Sequence, residues 1–149
     1  MRRVISAFRR SQRVAVVVQV DNLALLTRCI GLSQTAALLS ALCARIGVVL
    51  DVPTPAALGP RGQIAVLLDV SGQTAALRKA LQVQSVAQAG FDLPHHAPGP
   101  GISAVLVRGE GAVSDDRLVE QGRLHLARLG PGFGAVSMIS VSGQPADGA

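Results

Sequence analysis

At 149 residues, with 49% of them apolar, the chain is long enough for one domain with a substantial core. It holds three Phe and no Trp or Tyr. The core must therefore be aliphatic, and an aromatic platform for stacking bases is excluded. The net charge of +5 is uneven: Arg2, Arg3, Arg9, Arg10 and Arg13 crowd the start, and the nine later basic residues balance nine acidic ones.

Residues 1–12 read as a basic arm, with Val4, Ile5 and Phe8 at helical spacing. Four readings of it stay open: a solvated terminus, a contact to RNA phosphates, a contact to an anionic surface, and an organellar presequence. Val14 to Val20 is a continuous β-branched run, the pattern of a strand buried on both faces. Leu23 to Ile30 offers one or two helical turns. Ser33 then caps a clearer helix, Gln34 to Ile46, with Leu38, Leu39, Leu42 and Ile46 on its apolar face and Gly47 after its last turn. Val48 to Val52 reads as a short strand, and the Pro and Gly residues from Pro53 to Gly62 mark an irregular connection.

Gln63 to Val70 is a second strong strand. Ser71 and Thr74 are N-cap candidates for a helix to about Ala89, with Leu77, Leu81 and Val86 inward. Phe91 to Pro94 starts a strand before the His95–Gly101 loop, and Ile102 to Val107 is a third apolar run. Ser114 caps a helix to about Leu129, with Asp115 and Asp116 in the first turn, where the helix dipole favours negative charge. Ala135 to Val141 is the last strand, and residues 145–149 are a short tail. Strands alternating with helices predict an α/β fold: a three-layer αβα sandwich with a mostly parallel sheet.

The chemistry in such a fold sits just past strand C-termini. Asp21, Asp69, Asp115, Asp116 and, less plainly, Asp147 are the carboxylates available to hold Mg²⁺ or Mn²⁺. Each also has a plain structural reading. Asp21 and Asn22 cap a helix, Asp69 forms a turn, Asp115 and Asp116 serve a helix dipole, and Asp147 lies in the tail. His95 and His96 are adjacent on a Pro/Gly loop, a poor geometry for one ion. No G-x-S-x-G elbow or phosphate-binding loop occurs. Cys29 and Cys43 lack metal-type spacing and read as reduced thiols of a cytoplasmic protein, with a disulfide as the alternative. No apolar run reaches the roughly 18 residues of a membrane span.

Taken in order, VAVVVQVDNL, QIAVLLDV, AGFDLPHHAPGPG, VSDDRLVEQGRLHL and AVSMISVSGQ resemble the NYN domains of the PIN-like ribonuclease superfamily over residues 13–144. The resemblance implies a metal-dependent, RNA-cleaving ancestor with an Asp cluster at the C-terminal edge of the sheet. It places the first Asp of that cluster on Gln19, its Asn on Asn22, the helix-start acid on Asp115 or Asp116, and the last Asp on Gln144. Two ligand positions are thus neutral amides. The resemblance also implies a further helix and strand, whose lack would leave an exposed edge; a homo-oligomer or a dedicated partner is expected.

Three functions follow. The first is a non-catalytic NYN-like module for assembly or RNA binding, using Gln19, Asn22, Gln144 and the arm residues Arg2, Arg3, Arg9 and Arg10, and needing no cofactor. The second is a ribonuclease that cuts single-stranded RNA with Mg or Mn, using Asp21, Asp69, Asp115 and Asp116, with Asp21 and Asp116 as metal ligands. The third is a structural α/β subunit unrelated to nucleases.

Overall fold

The computed structural model describes residues 12–58, 62–88, 91, 93, 97–129 and 134–143. Its centre is β1 (Gln12–Val20), whose β-branched residues Val14, Val16, Val17 and Val18 are at most 1% exposed. Such a run suits a strand with both faces covered, because branched side chains pack well on a pleated surface.

Helix α1 (Leu23–Leu50) follows, interrupted at Gly31, whose φ of 85° is open to glycine and costly for other residues. The Thr35 hydroxyl donates to the Gly31 carbonyl at 2.7 Å and steadies the restart, so the second segment begins without Ser33 as its cap. Gly47 does not end the helix. A Cβ there would come within 3.1 Å of the backbone at Val52 and Thr54, so its bare face lets the returning chain pass. The last turn closes instead at Asp51, in the left-handed conformation (φ 57°). The strand expected over Val48 to Val52 is therefore mostly helix.

The remaining elements are β2 (Ala57–Leu58), β3 (Gln63–Val70), α2 (Gln73–Gln88), β4 (Ile102–Glu110), α3 (Asp115–Leu129) and β5 (Val136–Ser142). Phe91 and Leu93 lie outside any strand. The sheet order is β2-β3-β1-β4-β5. β1 runs antiparallel to both β3 and β4, and only β5 lies parallel to its neighbour β4. Elements β1 to β4 make the split βαβ arrangement of ferredoxin-like folds, with α3 and β5 appended.

This corrects the expected mostly parallel, PIN-like sheet. Long apolar runs without alternation suggest parallel strands. Here an antiparallel centre is buried just as deeply because helices lie on both of its faces. On one face, Val14, Val16, Val18 and Val20 pack with Leu26, Leu42 and Ile46 of α1 and Ala76, Ala80 and Val83 of α2. On the other, Ala15, Val17, Val105 and Val107 meet Leu118 and Leu126 of α3. Helix α2 thus turns small residues inward, and Leu81, expected inside, is 48% exposed.

Helix α1 is long and apolar enough to cross a membrane, with a mean hydropathy of 1.5 over its most apolar window and a third of that window buried. Sequence inspection missed this because polar residues interrupt every apolar run. Leu26, Leu38, Leu42, Ile46 and Leu50 form its buried side, against the rest of the domain.

Candidate functional site

Gln19 and Asp21 lie on the α3 face at the C-terminal end of β1, two residues apart and therefore on one side of the strand. Gln19 faces Gln63 of β3 and Ser103 of β4 in the strand register. Each of these residues lies within one residue of the end of its apolar strand, so the sheet ends in a row of polar groups.

The row is bonded throughout. The Ser103 hydroxyl donates to Asp21 at 2.5 Å, and the Gln19 amide donates to the other Asp21 oxygen at 3.3 Å. The Gly134 backbone N–H adds a third donor to the carboxylate. Gln63, only 2% exposed, donates to Gln19 Oε1 at 2.9 Å and to the Arg123 carbonyl at 3.3 Å. It accepts from Arg123 Nε at 3.0 Å, which ties the row to α3. A buried amide satisfied in this way fixes the docking of α3, whereas an unsatisfied one would destabilise it.

Asn22 turns away from α1. Its Nδ2 donates to the Gly99 carbonyl at 2.9 Å, and its Oδ1 accepts the Gly101 N–H at 2.8 Å. The side chain makes no cap and instead pins the loop before β4 to the end of β1. Burial is the largest influence on Asp21 and raises its pKa; the bonds from Ser103, Gln19 and Gly134 oppose it.

The other carboxylates lie elsewhere. Asp69 is registered with Arg13 at the opposite end of β1, roughly 26 Å from Asp21 at about 3.3 Å per residue. There Arg13 meets Asp69 at 3.2 Å and Asp115 at 3.1 Å, all three exposed to solvent. Asp116 is also exposed, on the first turn of α3. The convergence of Asp21, Asp69, Asp115 and Asp116 assumed parallel strands. One antiparallel partner sends Asp69 to the far edge, and α3 starts there too. Gln144, Asp147, His95, His96, Arg2, Arg3, Arg9 and Arg10 fall outside the described residues.

A divalent ion of the Mg²⁺ or Mn²⁺ type needs several charged oxygens at one point. Among the described residues no three His, Cys, Asp or Glu side chains gather in that way. Asp21 alone, with its oxygens already engaged by Ser103, Gln19 and Gly134, does not fit such an ion. Sequence reasoning missed Gln63, Ser103 and Arg123. The first two carried a signal, as lone polar residues at the start of apolar strands; Arg123 carried none, since it looks like any solvated helix residue.

No family model matches the chain, and no curated protein matches it. Solved structures do. An EAL/GGDEF domain protein from M. capsulatus superposes with a TM-score of 0.68 at 17% identity, over 93% of this chain and 94% of that one. The active GGEEF domain of a diguanylate cyclase from Vibrio cholerae gives a TM-score of 0.69 at 14% identity, over 91% and 87%. The fold is therefore that of these domains. With the antiparallel centre of the sheet, this overturns the resemblance to NYN domains and the two readings built on it, the ribonuclease and the nuclease-derived assembly or RNA-binding module; the likeness to cyclase domains does not support the separate reading as an unrelated structural α/β subunit either.

Proposed function

We propose, with the cyclase fold as premise, that this chain serves guanine-dinucleotide signalling as a domain that does not itself turn nucleotide over. The observation that supports this most directly is the closed polar row at the end of β1. It presents one carboxylate flanked by amides, and three donors from within the protein already bond that carboxylate. Metal-assisted phosphoryl chemistry needs charge at that point, to hold the ion and to offset charge on the phosphates.

The sequence agrees. No stretch reads Gly-Gly-Asp-Glu-Phe or Gly-Gly-Glu-Glu-Phe, the residues that give those domains their name. The whole segment 52–68, which carries the β2–β3 hairpin, contains neither Asp nor Glu. Guanine nucleotides place such a role in the cytoplasm.

Incubation with GTP and either Mg²⁺ or Mn²⁺, followed by chromatography, is expected to give no cyclic dinucleotide. A product that disappears in Asp21→Asn overturns the reading. The converse experiment adds charge. Gln19→Asp places two carboxylates side by side on the strand end, and Mn²⁺ binding by calorimetry is expected to strengthen by about tenfold or more over the parent. Equal binding by both proteins would show that charge at Gln19 does not limit the site.

A further inference from the structure

The hydrogen bonds at the two ends of β5 fix which way each of its peptide groups points. Ala104 N–H donates to the Ala135 carbonyl, and Gly143 N–H donates to the Glu110 carbonyl. With the parallel register Ala104↔Val136 to Glu110↔Ser142, the odd-numbered residues Ser137, Ile139 and Val141 bond to β4. Val136, Met138 and Ser140 therefore aim both N–H and C=O out of the sheet. Among the described residues nothing meets these six groups. The next outward carbonyl, that of Ser142, is taken by Arg117 Nε at 3.1 Å, which closes the row at that end.

An edge like this is normally guarded by a proline, a charge or a bulge. β5 reads Val-Ser-Met-Ile-Ser-Val-Ser, with neither proline nor charge. Its side chains from Val136 to Ile139 are half-buried, so they retain apolar surface that a neighbouring strand would cover. The other edge of the sheet is β2 over Gln63 and Ile64 and β3 itself from Ala65 to Val70, and there Asp69 supplies the charge that β5 lacks.

We propose that β5 pairs antiparallel with β5 of a second copy of this chain, about a two-fold axis through Met138. That register sets Met138 against the partner's Met138 and Val136 against the partner's Ser140, and it satisfies all six outward groups of each strand. The three outward residues are spaced evenly about Met138, so the edge is its own complement. No residue of β5 itself is charged, so the paired strands set no like charges opposite one another; the nearby guanidinium groups of Arg108 and Arg117 are bonded to Ser140 Oγ and the Ser142 carbonyl. Because a two-fold contact uses the same edge of both copies, the assembly closes as a dimer with one continuous ten-stranded sheet. A single strand ladder is a small contact, so dissociation in the roughly micromolar to hundred-micromolar range is expected.

Sedimentation velocity on the full chain from about 1 µM to about 1 mM tests this. The expected result is a monomer that becomes a dimer with concentration. Ser140→Pro removes one outward donor at a position where the monomer uses no backbone N–H, and it should abolish the dimer. Ser140→Ala keeps the donor and should retain it. If the proline variant does not fold, amide hydrogen exchange on the parent decides. Protection at Val136, Met138 and Ser140 should rise with concentration, while Ser137, Ile139 and Val141 stay protected throughout. A chain that is monomeric at every concentration leaves the edge for a foreign strand and overturns the proposal. So does a dimer whose three outward amides exchange freely.

Discussion

Asp21 binds its proton more tightly in the folded chain than in the unfolded one, because burial outweighs the three hydrogen bonds to its carboxylate. A raised carboxyl pKa means that the folded state carries more protons than the unfolded state between the two values. Stability is therefore fullest below the ordinary carboxylate pKa, falls as pH rises through the raised one, and is level above it. Asp21→Asn keeps groups that can face Ser103 and Gln19 without ionising. Urea unfolding from pH 3 to pH 8 should show the parent losing stability across that window, and the variant losing less. A steeper loss in the variant would mean that the hydrogen bonds, not burial, govern the site. Asp21 was legible in the sequence as a carboxylate ending a buried strand. Its partners were not, because Ser103 lies 82 residues away and only the sheet register brings the two together.

Helix α3 shows how an element is positioned by what it lacks. A Cβ at Gly122 would lie 2.6 Å from Val17 Cγ2 and 3.0 Å from Val107 Cγ2, so the missing side chain lets the helix rest directly on β1 and β4. Gly122→Ala sets two effects against each other. Helix propensity gains about 1 kcal/mol, while overpacking against two strands costs about 1–3 kcal/mol. Both valines belong to the rigid central strands, so the second effect should prevail, and urea titration should show a net loss. The start of α3 was plain in the sequence: Ser114 Oγ accepts the Arg117 N–H at 3.2 Å, as its cap position requires. The length of α1 was not plain, because Gly47 looks like a terminator. Its reason for being glycine is the chain returning past it at Val52 and Thr54, a close approach that no local pattern announces.

For the molecule as a whole, the strands were legible and their directions were not. β1, β3, β4 and β5 all appear in the sequence as apolar runs within a few residues of their observed limits. Parallel and antiparallel arrangements leave the same mark when both faces are covered, since burial and not pairing sets composition. One wrong direction was enough to gather Asp21, Asp69, Asp115 and Asp116 into a cluster that the structure spreads over two edges. Of the basic arm expected over residues 1–12, Gln12 opens β1 and residues 1–11 lie outside the described residues; in sequence, several positive charges stand immediately ahead of an apolar strand.

That strand is also synthesised before both of its neighbours in the sheet. Val17 is registered with Ala65 on one side and Val105 on the other, so the ribosome must add a large part of the chain before either neighbour exists. At about 5–20 residues per second, the segment VAVVVQV waits for several seconds without its partners, and short uncharged β-branched stretches are those that aggregate in such an interval. Arg9, Arg10 and Arg13 stand where flanking charge discourages that outcome. Replacing Arg9 and Arg10 with Ser should lower the soluble yield on expression while leaving the unfolding midpoint of the recovered protein unchanged, a separation between the hazard of being born and the stability of being folded.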